Sequence, residues 1–405
     1  MKQSVSTAPE QITFDWLEPD ARALAALAGD LVDVVRSASL QRTIALISCS
    51  ESKKREAAPA ADLYTSPRFK LSRAFALRQE LNYYIISAKH GLLSPQDVIE
   101  PYDVNLRSFR PNERAAWAEK VVTRLLSLHP KTERVIIIAD GLYSSSLAEA
   151  LDAKNIALVQ PFSQLSKETV IALLKHCVRL LDRADAVRKF YDLFELRHLK
   201  SPIVPLREAL QGEMPEQGVY FFFDPDEETR FSNVLGRLVR IGTHGVSTGS
   251  KATLRDRLRA HFGTMDGYGN HRSSVFRLHV GAAMIRRDGL RKRFPQWGVG
   301  QNAASLVRER ERPLEQKVSE AISKLHVAIL EVADAPMKTS ARAVIETLSI
   351  ALFTENWQPV EPSSTSWLGR NSVHELISKT GLWNLRDAGS EADLTIVDTL
   401  RARLA

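Results

Sequence analysis

The chain has 405 residues, 44% of them hydrophobic, which is enough for two domains that each bury an ordinary core. No apolar run is long enough to span a bilayer, and the N-terminus lacks the apolar centre of a signal peptide. Two cysteines are too few for a disulfide framework or a cysteine-built zinc site. We therefore expect a cytoplasmic protein without a membrane partner. The net charge of +7 is compatible with nucleic acid binding but is also found in proteins that never contact it.

The first part of the chain alternates short apolar runs with segments of helical periodicity. Buried strands are predicted at residues 43–49, 83–88, 134–140 and 156–160, and helices at 68–80, 111–128, 144–153 and 166–182. Strands that alternate with helices form parallel sheets covered on both faces. Residues 1–182 are therefore predicted to form a three-layer α/β domain with a mainly parallel sheet.

Polar residues follow the predicted strands of this domain, and parallel sheets bind their ligands beyond the carboxyl ends of the strands. The candidate ligand-binding residues are Ser48, Cys49, Ser50, Lys53, Asp62, Lys89, His90, Asp97, Glu100 and Asp103. Backbone N–H groups and a lysine in such loops could hold an anion. Cys49 alone is better explained as a small buried thiol at a strand end. The set as a whole favours a ligand site, because these loops contain more charged and hydrogen-bonding side chains than connecting loops need.

Three stretches of this domain resemble a bacterial domain of unassigned function: IALISCSESKK, ADLYTSPRFKLSRAFA and YYIISAKHGLLSPQDVIEPYD. The resemblance covers about residues 40–165, and that domain is distantly similar to the peroxide-stress protein YaaA and to glycosylase-like α/β folds. It implies recognition of a nucleobase or nucleotide. Excision of a base would also need a carboxylate to position water and a donor to assist the leaving group, and the sequence leaves the choice among the acidic and basic candidates open.

A connecting helix and connector at residues 183–212 are predicted to join this domain to a second one at 213–405, because the helical pattern ends before Ser201-Pro202. The runs GVYFFF (218–223) and RLVRIGT (237–243) flank a polar turn and predict a β-hairpin. The segment ATLRDRLRAHF that follows predicts a helix.

A polar, basic cluster comes next, GNHRSS at residues 269–274, and it continues into VFRLHVG, which alternates like a buried strand. Residues 251–300 carry eleven Lys or Arg against three Asp, a net charge of +8. A charge of this sign and density favours contact with nucleic acid phosphates.

Five motifs of the second domain match a GIY-YIG nuclease in order and spacing: GVY, RIG, LRDRLRAHF, GNHRSS and ARAVIET. The resemblance covers about residues 216–390, and VRIGTH, NHRSSVFRLHVG, WLG and TGLWN are similar to stretches of a bacterial subgroup. The tripeptide GVY or RIG alone would be weak evidence for the family, because Gly-aromatic pairs are common on strands. The resemblance implies a small mixed α/β domain that hydrolyses DNA, with the donors of GNHRSS lining a cleft for phosphate.

Phosphodiester hydrolysis needs a nucleophilic water, a proton acceptor and cations that stabilise the pentacoordinate oxygens. By family position, Tyr220 would be the phenol near the water and Arg257 would grip the scissile phosphate. His261 follows Arg257 by four residues, which places both on one helix face. His271 could accept a proton or donate to a phosphate. Asn384, in LWNLR, falls where the family has a supporting amide.

Glu346 lies in the apolar helical segment VIETLSIALF, where an unpaired carboxylate would be costly. A bound Mg²⁺ or Mn²⁺ ion would remove that cost, and the position matches the metal-binding residue of the family. The alternative is an exposed Glu346 paired with Arg342 at the i, i+4 spacing, which would remove the argument for a metal.

Several of these residues have ordinary explanations when taken singly. Arg257 by itself would be a solvated helix residue, and Tyr220 a tyrosine of the core. Trp367 and Trp383 are expected to be core anchors and not platforms for stacked bases. Together with its neighbours, Arg257 favours phosphate contact. The further residues predicted to bind DNA are Arg255, Arg259, Arg272 and Arg277.

The second tyrosine of the family's motif is replaced by Arg240. A guanidinium stays charged and cannot share a proton with a neighbouring phenol. Arg240 could therefore supply a second cation to the phosphate, or the domain could have kept DNA binding and lost cleavage. The resemblance to the subgroup favours an active enzyme.

Three functions compete on this basis. The first is a metal-dependent endonuclease of double-stranded DNA whose N-terminal domain recognises a modified or unusual base, which would suit phage defence or DNA processing. The second adds excision of the base by the N-terminal domain, as a glycosylase. The third is a DNA-binding protein with an inactive GIY-YIG scaffold. We expect the first.

Overall fold

The computed structural model describes residues 21–36, 40–195, 202–264, 266 and 268–404. The chain divides into two compact units, Met1–Asp182 and Arg183–Ala405, called here the N-terminal and the C-terminal unit. The division falls inside one long helix, so the predicted connecting helix of 183–200 is a continuation of the helix before it. Its last five residues, 196–200, lie outside the described residues.

The N-terminal unit contains all four strands predicted for it. Its strands are β1 (Thr43–Ser48), β2 (Ala58–Pro59), β3 (Asn82–Ser87), β4 (Gly91–Leu93), β5 (Val98–Ile99), β6 (Arg134–Ile138) and β7 (Ala157–Val159). Its helices are α1 (Ala21–Arg36), α2 (Ala60–Leu63), α3 (Pro67–Arg78), α4 (Pro111–Leu128), α5 (Gly141–Asp152) and α6 (Lys167–Glu195), the last of which continues into the C-terminal unit. Short 3-10 helices lie at Leu40–Arg42 and Leu106–Ser108.

Five of these strands form the main sheet, in the order β4-β3-β1-β6-β7. β1 pairs in parallel with β3 and β6, β6 pairs in parallel with β7, and β4 is antiparallel at the edge. Ile44 and Leu46 share a buried cluster with residues of α4 and α5. Helix α3 contacts β1 and β3, and right-handed crossovers place it on the opposite face. The predicted three-layer domain with a mainly parallel sheet is confirmed.

The C-terminal unit is a mixed α/β structure, as predicted. Its strands are β8 (Val204–Pro205), β9 (Gly218–Asp224), β10 (Arg237–Gly242) and β11 (His326–Glu331). Its helices are α7 (Leu206–Ala209), α8 (Leu254–Phe262), α9 (Val275–Arg287), α10 (Ser305–Ser323), α11 (Ala341–Thr354), α12 (Glu375–Thr380) and α13 (Ile396–Leu404), with 3-10 helices at Glu355–Trp357 and Leu368–Asn371. Among all the helices described in the chain, none is long and apolar enough to cross a membrane.

The sheet of the C-terminal unit is antiparallel, in the order β10-β9-β11-β8. β9 and β10 form the predicted hairpin, and Gly242 on β10 lies opposite Tyr220 on β9. A Cβ atom at Gly242 would overlap the hydroxyl of Tyr220. The RIG motif therefore needs its glycine because the Tyr220 phenol occupies the space that any side chain would take.

The run VFRLHVG is helical, so the prediction of a buried strand after GNHRSS was wrong. Ser274 caps the N-terminus of α9, where its hydroxyl accepts a hydrogen bond from the Arg277 N–H at 3.3 Å. Phe276, Val280 and Ala283 are buried at helical spacing. The alternation within this run is too short to distinguish a strand from a buried helix, and Ser274 was the signal that favoured a helix.

Candidate functional site

Tyr220, His261 and Ser274 form a buried chain of hydrogen bonds in the C-terminal unit. The Tyr220 hydroxyl lies 2.7 Å from His261 Nε2, and His261 Nδ1 lies 2.8 Å from the Ser274 hydroxyl. All three residues have 0% exposed surface. Strand β9, helix α8 and the cap of α9 each supply one of them, so the chain fixes the imidazole between the two hydroxyl groups.

His261 is held in its neutral form by burial and by the cations around it. Burial lowers the pKa of His261 well below its ordinary value, and the charges of Arg240, Arg257 and Arg277 lower it further. The imidazole is therefore neutral near pH 7 and can accept a hydrogen bond from the Tyr220 phenol. Because the phenol is itself buried, other groups must contact the substrate.

Glu346 on α11 lies near both Arg240 on β10 and Arg257 on α8. Burial raises the pKa of Glu346, whereas Arg240, a backbone hydrogen bond from Thr243 and Arg257 lower it. The Nε atoms of Arg240 and Arg257 are buried without a hydrogen-bond partner among the described residues. Two guanidinium groups with unused donors, whose charges both act on one buried carboxylate, form a site that can hold anionic oxygens. We call Arg240, Arg257 and Glu346 the arginine–glutamate site.

Arg240 is held in place by the segment that contains Trp383 and Asn384. Its Nη1 donates to the Trp383 carbonyl at 2.7 Å, and its guanidinium lies 4.8 Å from the centre of the Phe276 ring. Asn384 accepts from the Ile241 N–H at 3.1 Å and donates to the Ile241 carbonyl at 2.8 Å. Asn384 thus supports the strand that carries Arg240, and its amide is committed to that backbone.

His244, at the end of VRIGTH, was missed as a candidate residue. It is buried, and its Nε2 lies 3.2 Å from Arg342 Nη1. Burial lowers the pKa of His244 to about 4, and Arg342 and Arg257 contribute to this. Arg342 itself is paired with Asp334 at 2.5 Å, and so is engaged away from Glu346. The sequence signal for His244 was its position two residues after the RIG motif.

The basic residues of the run 271–277 pair with carboxylates of α10. His271 Nδ1 lies 2.9 Å from Glu315 Oε1, and Arg277 is paired with Glu315 at 2.5 Å. Arg272 is paired with Glu311 at 2.6 Å. Since Arg277 is fully buried and donates to His261, Phe262 and Ser319 as well, we do not propose it as a DNA ligand.

Glu311 and Glu315 were missed because α10 was not identified from the sequence. They lie four residues apart, so they share one helix face. A buried carboxylate has a raised pKa unless partners stabilise its charge. Here burial alone would raise the pKa of Glu315, but hydrogen bonds from His271 and the charge of Arg277 lower it overall. The run of donors therefore forms a charged framework that positions α9, and with it Ser274.

The substitution Glu315→Gln is expected to destabilise the protein by about 3–5 kcal/mol, because it leaves the buried Arg277 without its counter-charge. Since the folded-state pKa of Glu315 is lowered, its contribution is present above the ordinary carboxyl pKa of about 4.3 and is lost as the pH falls below it. Urea unfolding at pH 7 and pH 3.5 measures both effects. Glu309→Gln, which changes an exposed carboxylate of the same helix, is the control, and equal midpoints for the two variants would contradict the assignment.

Arg255 and Arg259 differ in their freedom to bind DNA. Arg255 donates to the carbonyl groups of Leu210 and Gly212, both at 2.8 Å, so it supports the packing of α8. Arg259 is exposed on the same helix. Other exposed cations of the segment 251–300 are Lys251, Arg286, Arg287, Arg291, Lys292 and Arg293. The charge of this segment therefore remains largely available to a polyanion.

A divalent ion at Glu346 would have few protein ligands. Among the described residues, no three His, Cys, Asp or Glu side chains are grouped as a metal site. Asp387 is the nearby carboxylate whose charge raises the pKa of Glu346, and it accepts a hydrogen bond from the Thr347 hydroxyl at 3.1 Å. This donor set fits Mg²⁺, which keeps several waters and is commonly bound by one or two carboxylates together with substrate phosphates.

In the N-terminal unit the structure brings together some of the predicted ligand residues. Ser48, Cys49 and Ser50 end β1 at the carboxyl edge of the sheet. Lys53, Lys89 and His90 surround Tyr102, at 4.7, 5.5 and 5.0 Å from its ring centre. The acidic candidates are engaged elsewhere or exposed: Asp62 pairs with Arg73 at 3.0 Å, Asp97 accepts from the Ser94 N–H at 2.8 Å, and Glu100 and Asp103 are exposed.

Comparison with known families divides the chain in the same way. The family model of the GIY-YIG domain matches residues 181–405, more than half of the chain. A family of unknown function (DUF6884) matches residues 44–176. No curated protein and no solved structure matches the chain. The likeness to YaaA and to glycosylase-like folds stays a prediction.

Proposed function

The chain belongs to the GIY-YIG family, whose domain supports nuclease activity and implies a DNA substrate, and from this premise we propose that it is a metal-dependent endonuclease of double-stranded DNA. The observation that carries the proposal is the arginine–glutamate site, in which Glu346 lies near Arg240 and Arg257. The N-terminal unit recognises a modified or unusual base and so selects the DNA to be cut, in phage defence or DNA processing.

Each group of the site has one task in this proposal. Arg257 and Arg240 donate to the non-bridging oxygens of the scissile phosphate, whose negative charge grows in the transition state. Their unpartnered Nε atoms are the donors that such oxygens would satisfy. The neutral His261 accepts the hydrogen bond of the Tyr220 phenol and so ties β9 to α8, the helix that carries Arg257.

Glu346 is the residue that would hold a divalent ion. The carboxylate is largely buried, and an ion would offset the cost of keeping it charged there. When bound, Mg²⁺ or Mn²⁺ supplies Lewis-acid stabilisation of phosphate oxygens. Asp387, whose charge acts on Glu346 and which accepts a hydrogen bond from Thr347, would add a further oxygen donor.

Two other functions follow from particular features. The polar edge of the N-terminal sheet favours a bifunctional enzyme that excises a base before the strand is cut. The replacement of the second motif tyrosine by Arg240 favours a DNA-binding protein that no longer cleaves. Both share the DNA-binding surface with the proposed endonuclease, so they differ from it in chemistry and not in the ligand.

One assay separates the three functions. The purified full-length protein is incubated with unmodified and base-modified duplexes, with Mg²⁺ and with EDTA, and free bases and cut strands are measured. The endonuclease releases cut strands without free base, and only when Mg²⁺ is present. Release of free base before cutting would establish the bifunctional enzyme instead, and binding without cutting would establish the inactive scaffold.

DNA affinity is expected to fall steeply with salt. The exposed cations of residues 251–300 would displace counterions from the phosphates they contact. If about four phosphates are contacted, the logarithm of the association constant falls with a slope of about −3.6 against the logarithm of the salt concentration. Fluorescence anisotropy with a labelled duplex measures the slope, and an affinity that is equal in low and high salt would argue against a phosphate-binding face.

A further inference from the structure

The carboxyl ends of β1 and β6 lie side by side, at the place in the N-terminal sheet where the chain leaves neighbouring strands toward opposite faces. These strands are neighbours; β1 leads to α3 and β6 leads to α5, on opposite faces of the sheet. Open α/β sheets bind ligands in the crevice that such a divergence creates. We call this place the β1–β6 cleft. Cys49 bounds it after β1, and Asp140 bounds it after β6.

Three tyrosine hydroxyls and a thiol line the inner part of this cleft. Cys49 Sγ lies 3.3 Å from the Tyr143 hydroxyl. The Tyr102 hydroxyl lies 2.7 Å from both the Tyr64 hydroxyl and the Ser87 hydroxyl. Burial raises the pKa of all three phenols, so they are neutral at any physiological pH. Tyr64 and Tyr143 are buried, so the half-buried Tyr102 ring, with neutral hydrogen-bonding groups behind it, is the aromatic surface that the cleft offers.

Two lysines lie over the Tyr102 ring, the half-buried ring of this aromatic wall. Lys53 Nζ lies 4.7 Å from the centre of the Tyr102 ring and donates to the Glu51 carbonyl at 3.3 Å. Lys89 Nζ lies 5.5 Å from the same ring. An ammonium group has three donors, so each lysine can also bind an anion. Two lysines that converge on one aromatic ring place anion-binding donors next to a surface that a planar group can contact.

The opposite side of the cleft is open. A Cβ atom added to Gly141, the first residue of α5, would meet no atom within 4 Å. Asp140 Oδ1 accepts from the Tyr143 N–H at 3.3 Å, which leaves its other oxygen able to accept from a ligand. Arg68 Nε is buried without a hydrogen-bond partner among the described residues, and Arg68 interacts electrostatically with Asp140.

We infer that the β1–β6 cleft binds a nucleoside monophosphate unit, with its phosphate drawing Lys53 and Lys89 away from the Tyr102 ring and its base taking their place against that ring. The inference rests on the proposed function, because it supplies the ligand through which the N-terminal unit selects DNA. A bare anion would leave the aromatic wall unused. An uncharged ring would leave the lysines unused. A base also carries N–H groups that Asp140 can accept.

The test uses the full-length protein and calorimetric titration with the four common 2′-deoxynucleoside 5′-monophosphates. At least one should bind, and Gly141→Leu should weaken its binding at least about tenfold by filling the cleft. This variant should fold normally, since the added side chain enters open space and leucine favours a helix. Lys53→Ala should weaken binding about tenfold by removing a charged donor, whereas Lys54→Ala, an exposed neighbour, should not.

A trinucleotide added as competitor distinguishes the two sources of this ligand. Displacement of the bound mononucleotide by the trinucleotide would assign the site to a nucleotide within a DNA strand, provided that Gly141→Leu also loses binding of the trinucleotide. Binding of the mononucleotide alone would assign it to a free nucleotide. Full displacement by inorganic phosphate at equal concentration would overturn the inference, because the base would then contribute nothing.

The outcome is separable from that of the proposed function. Glu346→Gln should bind the mononucleotides as the wild type does, since Glu346 belongs to the other unit. Cleavage of DNA by a protein that binds none of the four nucleotides would overturn this inference and leave the nuclease in place. Nucleotide binding by a protein that never cleaves DNA would overturn the proposed nuclease and leave this inference in place.

Discussion

Glu346→Gln is expected to abolish metal-dependent cleavage of DNA, by at least about a thousandfold, and to leave DNA affinity nearly unchanged. The substitution keeps the size of the side chain but removes the charge that would bind the ion. It also removes the carboxylate that lies near Arg240 and Arg257. Single-turnover nicking of a supercoiled plasmid, together with anisotropy binding of a duplex, measures the two effects separately.

Glu375→Gln is the matched control for this variant. Glu375 is an exposed carboxylate of the same unit, paired with Lys379 at 3.3 Å, and its loss should change neither rate nor affinity. Wild-type cleavage by Glu346→Gln would remove Glu346 from the site and, with it, the argument for a metal at α11. A large loss of affinity without a loss of rate at saturating DNA would assign Glu346 to binding instead.

Arg257→Ala is expected to slow cleavage about a hundredfold or more at saturating DNA, as the loss of one oriented charged donor does. Arg257 combines a buried, unpartnered Nε with a position near both Glu346 and the neutral His261. Arg257→Lys should be similarly impaired, because an ammonium cannot reproduce the planar donor pair of a guanidinium. The cleavage rate under single-turnover conditions is the quantity to measure.

Arg259→Ala controls for the removal of a positive charge from α8. Arg259 is exposed two residues along the helix from Arg257, so its loss should weaken DNA affinity without changing the rate at saturation. Rapid cleavage by Arg257→Ala would show that the site has been placed wrongly. Equal losses in both variants would indicate that only the total charge of the helix matters.

The sequence predicted the elements whose periodicity is unbroken. Helix α4 was expected at 111–128 and spans Pro111–Leu128, and the hairpin of β9 and β10 was read from two apolar runs around a polar turn. The four-residue spacing of Arg257 and His261 predicted that they lie on one helix face, and the charge of Arg257 lowers the pKa of His261. The local sequence pattern was sufficient to predict each of these features, because residues close together in the chain determine them.

The parts that were not predicted depend on contacts between distant segments. Arg277 and His271 looked like phosphate donors, because nothing near them in sequence shows that Glu315 is their partner. Tyr64 and Tyr102 meet at the β1–β6 cleft across 38 residues of chain. Burial decides whether a basic residue is a ligand or a structural partner, and burial follows from the tertiary fold.

The central claim is that a GIY-YIG site with Arg240 in place of the second motif tyrosine still cleaves DNA. The most direct measurement is the rate at which the purified wild-type protein and Arg240→Ala nick a supercoiled plasmid in Mg²⁺ or Mn²⁺. The account predicts nicking by the wild type and a loss of about a hundredfold or more in Arg240→Ala, with partial recovery in Arg240→Tyr. A folded wild-type protein that binds the plasmid but does not nick it in Mg²⁺ or Mn²⁺ would contradict the account.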